Sequence, residues 1–143
     1  FEIPRKLLEL EITETIDDPQ VSRKALQLKE VGYTLLMDDF GSGYSSLNIL
    51  LETPFDMIKL DKKFVENMMV SSKGRIILEQ VVLMANQLKL GILAEGVETK
   101  EQIEQLRRMG CDQVQGFYYA RPMPNETFFT LLENQSLQHK RTL

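Results

Sequence analysis

Two adjacent carboxylates, Asp38 and Asp39, end an apolar run in the stretch LLMDDFGSGYSSL, residues 35–47. Alone, Asp-Asp-x-Gly is an ordinary turn whose acids hydrogen-bond backbone N–H groups. Four further stretches change that reading. In LELEITET (8–15), strand alternation puts Leu8, Leu10 and Ile12 on one face and Glu9, Glu11 and Thr13 on the other. In DMIKLD (56–61), Lys59 shares a face with Met57 and Asp61, opposite Ile58 and Leu60. LAEGVET (93–99) and QVQGFYYARP (113–122) each place a polar residue, Glu95 or Gln115, directly before a glycine. Carboxylates gathered without histidine or cysteine form a hard, all-oxygen donor set, suited to Mg²⁺ or Mn²⁺ rather than zinc. Such an ion relieves the repulsion among like charges and lowers the pKa of a bound water. The alternative is a network of structural ion pairs.

The strands must deliver these groups to one rim. Strand-like segments at 7–13, 34–38, 56–61, 91–96 and 113–120 alternate with helical patterns. Asp18 and Pro19 start a helix with Val21, Ala25 and Leu28 on one face, stopping at Gly32. A second pattern, near 73–89, aligns Ile77, Val81, Met84 and Leu88. A third opens on Thr99 and Gln102, a capping box, and ends in Arg107 and Arg108 before Gly110. A short helix after Asn125 is expected to bury Phe128, Leu131 and Leu132. Strand–helix alternation predicts βαβ units on a parallel sheet, closed as a doubly wound sheet or a barrel. Chemistry then sits at the C-terminal strand ends. Adjacent strand residues face opposite ways, so Asp38 and Asp39 share an ion only if the strand breaks; Gly41 and Gly43 are the expected break.

Composition narrows the function further. The 143 residues carry a net charge of −4, which argues against a nucleic-acid polymer as partner. One cysteine, Cys111, excludes a disulfide framework, and the single histidine, His139, makes histidine-ligated metals and serine–histidine catalysis poor readings. No Gly-x-Gly-x-x-Gly or Walker-type lysine supports a nucleotide-cradling loop. No apolar run reaches the length of a membrane span, so a soluble, cytoplasmic protein is expected.

LEITET, MDDFGSGYSSL, IKLDKKFV, LAEGVET and QGFYYARPM, in this order, resemble the EAL family of bacterial cyclic di-GMP phosphodiesterases. The resemblance implies a (β/α)8 TIM-type barrel and metal-dependent hydrolysis of cyclic di-GMP to linear pGpG. It also implies that Glu11, Asp38 and Asp39 are metal ligands and that Lys59 binds the attacking water and offsets phosphate charge. Glu95 and Gln115 are implied near that water and a second metal. Glu14 is implied to brace the loop after Asp39, a loop associated with dimer contacts, and Asp61, Ser42 and Pro122 are implied around the substrate.

The family's Glu-Ala-Leu stretch, its phosphate-binding arginine and its metal-binding asparagine have no counterpart in these residues. A (β/α)8 barrel typically takes about 250 residues. Residues 1–135 are therefore expected to be the last five strands and helices of the domain, with 136–143 a polar tail, and any membrane anchor of the parent left to regions upstream. Alone, such a chain is expected to be inactive and to self-associate through open strand edges or the loop after Asp39. The competing expectation is a receptor or interaction module that has lost catalysis.

Overall fold

A computed structural model of the chain describes residues 3–13, 19–41 and 46–140. Glu14, Asp18, Ser42 and Gly43 lie outside the described residues. Five parallel strands lie side by side in chain order: β1 (Glu9–Thr13), β2 (Thr34–Phe40), β3 (Met57–Leu60), β4 (Gly91–Ala94) and β5 (Gln113–Val114). The helices are α1 (Pro19–Glu30), α2 (Ser46–Glu52), α3 (Lys62–Val70), α4 (Ser72–Gln87), α5 (Lys100–Met109) and α6 (Asn125–Lys140). A doubly wound sheet reverses its strand order partway, whereas this order never reverses, so right-handed crossovers carry the connecting helices to one face. That is the arrangement of part of a (β/α)8 barrel.

The face toward the helices is apolar. Leu35, Met37 and Phe40 of β2, Ile58 and Leu60 of β3, and Ile92 and Ala94 of β4 pack there with Ala25, Ile49, Val65, Leu78, Val82, Ala85 and Leu106. Each fully buried leucine or isoleucine contributes about 1.5–3 kcal/mol, so this layer, rather than the charged groups, holds the sheet. The opposite face carries the acids and Lys59. Leu36 of β2, paired with Met57, lies one step before Lys59 along the strands, and Leu93 is level with it. Both leucines are buried and line the lysine's surroundings with apolar surface.

At the other end of the strands, aspartates extend the ladder. The Asp56 N–H donates to the Leu35 carbonyl at 2.9 Å, and its carboxylate accepts the Leu35 N–H at 2.8 Å. The same carboxylate pairs with Lys29 of α1. Asp112 repeats the device, accepting the Ile92 N–H at 3.2 Å. Asp56→Ala should destabilise the fold by about 1–3 kcal/mol, because it leaves a strand N–H without its acceptor. Asp56→Asn, which retains an acceptor oxygen, should recover part of the loss in urea denaturation.

Several sequence expectations need correction. The fifth strand stops at Val114 instead of reaching 120, because the chain turns back onto Val97. Tyr118 N–H donates to the Val97 carbonyl at 3.1 Å, and a Cβ at Gly116 would stand 2.1 Å from that oxygen. The buried stripe of α4 is Leu78, Val82 and Ala85, one position on from the predicted one, leaving Ile77 and Leu88 exposed. Helix α6 is long rather than short, and Phe128 and Leu132 are exposed on it. Helices α2 and α3 were not anticipated.

Candidate active site

Lys59 is the centre of the polar face. Its side chain is 6% exposed, and Nζ lies 2.7 Å from Glu11 Oε1, 2.9 Å from Asp38 Oδ1 and 2.9 Å from Glu95 Oε1. Three strands and the end of a fourth thus converge on one ammonium: β1 gives Glu11, β2 Asp38, β3 Lys59, and Glu95 follows β4. Burial alone would lower the lysine's pKa. Its contacts with Glu11, Glu95 and Asp38 outweigh that and hold it well above the ordinary lysine range. The group is therefore a fixed positive charge and hydrogen-bond donor, not a base.

Asp38 and Asp39 occupy a bulge. Met37 pairs with Ile58 and Phe40 with Leu60, so the two aspartates stand against Lys59 alone. Bulges are rare between parallel strands and mark sites where side chains are re-aimed. Here Asp39 takes a left-handed conformation, φ +57°, which aspartate tolerates better than most residues. The break expected at the glycines thus begins at Asp39 itself, and Gly41, φ +94°, continues it. Asp38 turns inward to Lys59, whereas Asp39 is exposed.

The structure does not bring every predicted residue to Lys59. Gln115 is exposed; its backbone ties the segment to β4 and the following loop, through Gln115 N–H to Ala94 O and Val97 N–H to Gln115 O. The Asp61 carboxylate accepts the Lys63 N–H at 2.8 Å and caps α3. Pro122 is exposed. Lys62, given no role by the sequence reading, pairs with Glu98 at 2.8 Å. It links α3 to the loop that carries Glu95, and the basic pair directly after Asp61 was the available signal. Burial pushes the Cys111 thiol up to about 11, and its Sγ donates to the Gln113 carbonyl at 3.3 Å. Such a thiol is no nucleophile at neutral pH.

The donor set suits a divalent cation in its chemistry. Every candidate atom is a carboxylate oxygen, and Glu11, Asp38, Glu95 and Lys59 together carry a formal charge of −2. Asp38 Oδ1 is buried without a hydrogen-bond donor at proper angle, although Lys59 Nζ is close to it. Among the described residues, no three acidic, cysteine or histidine side chains form a ready-made cage. The ammonium stands where the carboxylates converge.

The EAL domain family pattern matches residues 1–122. The cyclic di-GMP phosphodiesterase RocR of Pseudomonas aeruginosa is 43% identical over 131 residues, which cover 90% of this chain and 33% of that protein. A cyclic di-GMP complex of the phosphodiesterase PaMucR superposes with a TM-score of 0.80 at 38% identity, over 87% of this chain and 51% of that one. A manganese and cyclic di-GMP complex of Klebsiella pneumoniae BlrP1 gives 0.77 at 36% identity, over 84% of this chain and 31% of that one. The chain spans about a third or less of the length of the curated relatives it matches. No described helix is long and apolar enough to cross a membrane.

Proposed function

Because this chain belongs to the EAL domain family, we propose that it provides the five C-terminal strands of a domain that hydrolyses cyclic di-GMP to linear pGpG with Mg²⁺ or Mn²⁺. The observation that carries this reading is the convergence of Glu11, Asp38 and Glu95 on Lys59 at the C-terminal strand ends. Barrel enzymes build their active sites at that rim.

Glu11, Asp38 and Asp39 are the residues that would hold the cation. When bound, it supplies a Lewis acid for a phosphoryl oxygen and lowers the pKa of a coordinated water. Lys59, permanently charged, donates a hydrogen bond toward the attacking water and offsets negative charge that develops on the phosphoryl oxygens. Glu95, 2.9 Å from Lys59, is the carboxylate that accepts the water's proton. The water oxygen bonds to phosphorus as the bond to one ribose C3′ oxygen breaks, that oxygen takes up a proton from solvent, and this one ring opening gives the linear dinucleotide. Gln115 reaches this site only with a change of side-chain direction. Glu14 is assigned the bracing of the loop after Asp39.

By itself the 143-residue chain is assigned no turnover, and association with another copy through its strand edges. The test is chromatographic detection of pGpG from cyclic di-GMP incubated with the intact domain and Mg²⁺ or Mn²⁺. Metal-dependent release supports the reading; intact substrate under both ions refutes it.

A further inference from the structure

We infer that Lys59 is a built-in competitor for the divalent cation, occupying the oxygens that the ion must take and leaving them for Glu95 when the ion binds. The inference rests on the metal-site reading above and adds a constraint to it. Lys59 Nζ contacts one oxygen of each carboxylate, Glu11 Oε1, Asp38 Oδ1 and Glu95 Oε1, within 2.9 Å. A magnesium ion binds carboxylate oxygen at about 2.0–2.1 Å. An ion on Glu11 Oε1 and Asp38 Oδ1 would therefore lie within a few ångströms of the ammonium. Glu11 is partly exposed, yet even at the effective dielectric of a protein surface the repulsion between them exceeds thermal energy several-fold. The two cations cannot share those oxygens.

The lysine has one place to go. Glu95 is outside the set assigned to the first cation and follows β4, the strand next to Lys59 on the side away from Asp38. Withdrawing from Glu11 and Asp38 while keeping Glu95 preserves one ion pair for a nearly buried charge, which would otherwise be costly to leave alone. The exchange also discriminates between ions. A monovalent cation offers the carboxylates no more charge than the ammonium it would displace, whereas a divalent ion neutralises the formal −2 of the group. Lys59 thus keeps sodium and potassium out and sets a threshold concentration for Mg²⁺ or Mn²⁺.

The test is Mn²⁺ titration of the full 143-residue chain, with free Mn²⁺ read by electron paramagnetic resonance. Lys59→Met and Lys59→Gln remove the competing charge, and the glutamine retains donors for the carboxylates. Both should bind Mn²⁺ at least about tenfold more tightly than the unaltered chain. Lys59→Arg, which keeps the charge, should not. Binding by the unaltered chain that equals or exceeds that of the neutral variants overturns the competition while leaving the metal site standing. No Mn²⁺ binding in any form overturns the inference for this chain, while the metal-site reading of the intact domain answers to the pGpG assay. Should the neutral variants fail to fold, the unaltered chain decides the matter. Saturating Mn²⁺ should then increase acylation of Lys59, read by mass spectrometry, and unchanged protection overturns the competition.

Discussion

Lys59→Ala in the intact domain should abolish turnover while leaving cyclic di-GMP binding largely intact. In the mechanism proposed above, the lysine acts on the nucleophile and on charge that appears only as phosphorus is attacked. An interaction of that kind lowers kcat rather than ground-state affinity. Removing one such electrostatic donor typically costs about 10²–10³-fold in kcat. The loss here should reach at least that range, because the same side chain is also the ion-pair partner of Glu95, the carboxylate assigned the water's proton. Substrate affinity by calorimetry and pGpG release by chromatography separate the two effects. A near-native rate in the variant would remove Lys59 from the chemistry. The competition inferred above adds a signature that loss of folding cannot imitate: the inactive variant should hold Mn²⁺ more tightly.

The second large effect concerns the chain by itself. Incubated with cyclic di-GMP and Mn²⁺, the 143 residues should release no pGpG and should sediment as more than a monomer. Barrel closure links strand number, tilt and stagger, and five strands do not satisfy it. β1 and β5 each pair on one side only among the described residues. Unpaired edges of this kind recruit further strands. Apolar surface adds to the tendency, with Leu7 67% and Leu51 85% exposed. Adding the remaining barrel strands as a separate polypeptide should restore measurable activity. Light scattering and the pGpG assay decide the point, and a stable monomer with turnover would refute it.

Much of the fold was legible because strands and helices are punctuated by residue chemistry. The Thr99–Gln102 capping box forms as read: Gln102 N–H donates to Thr99 Oγ1 at 3.2 Å, and Gln102 Oε1 accepts from Thr99 N–H at 3.0 Å. The central strands were legible because burial on both faces leaves short apolar runs such as Thr34–Met37 and Gly91–Ala94. The end of the fifth strand was not. FYYA has every local propensity for a strand, yet contact between Gly116 and the Val97 backbone turns it away. Local pattern cannot see a contact across nineteen residues. Nor could it see the ion pairs, since Glu11 and Lys59, 48 positions apart, are brought together only by strand order. The acids and Lys59 were identifiable as a set; the direct pairing of that lysine with Glu11, Asp38 and Glu95, and the exposure of Gln115, are tertiary information.

The bulge in β2 has a meaning for how this strand can change. Residues an odd number of positions apart on a regular strand face opposite ways. Met37 and Phe40 are an odd number apart, yet both lie in the helix-facing core. The strand therefore slips phase between them, and the left-handed step at Asp39 makes the slip. Deleting either aspartate would remove the slip and leave Phe40 two positions from Met37, on the core face that both already share. A substitution alters the chemistry of one acid; a deletion regularises the strand and keeps the aromatic ring where it is. The core fixes the face of Met37 and Phe40 but tolerates one residue between them as well as two; the second acid belongs to the site.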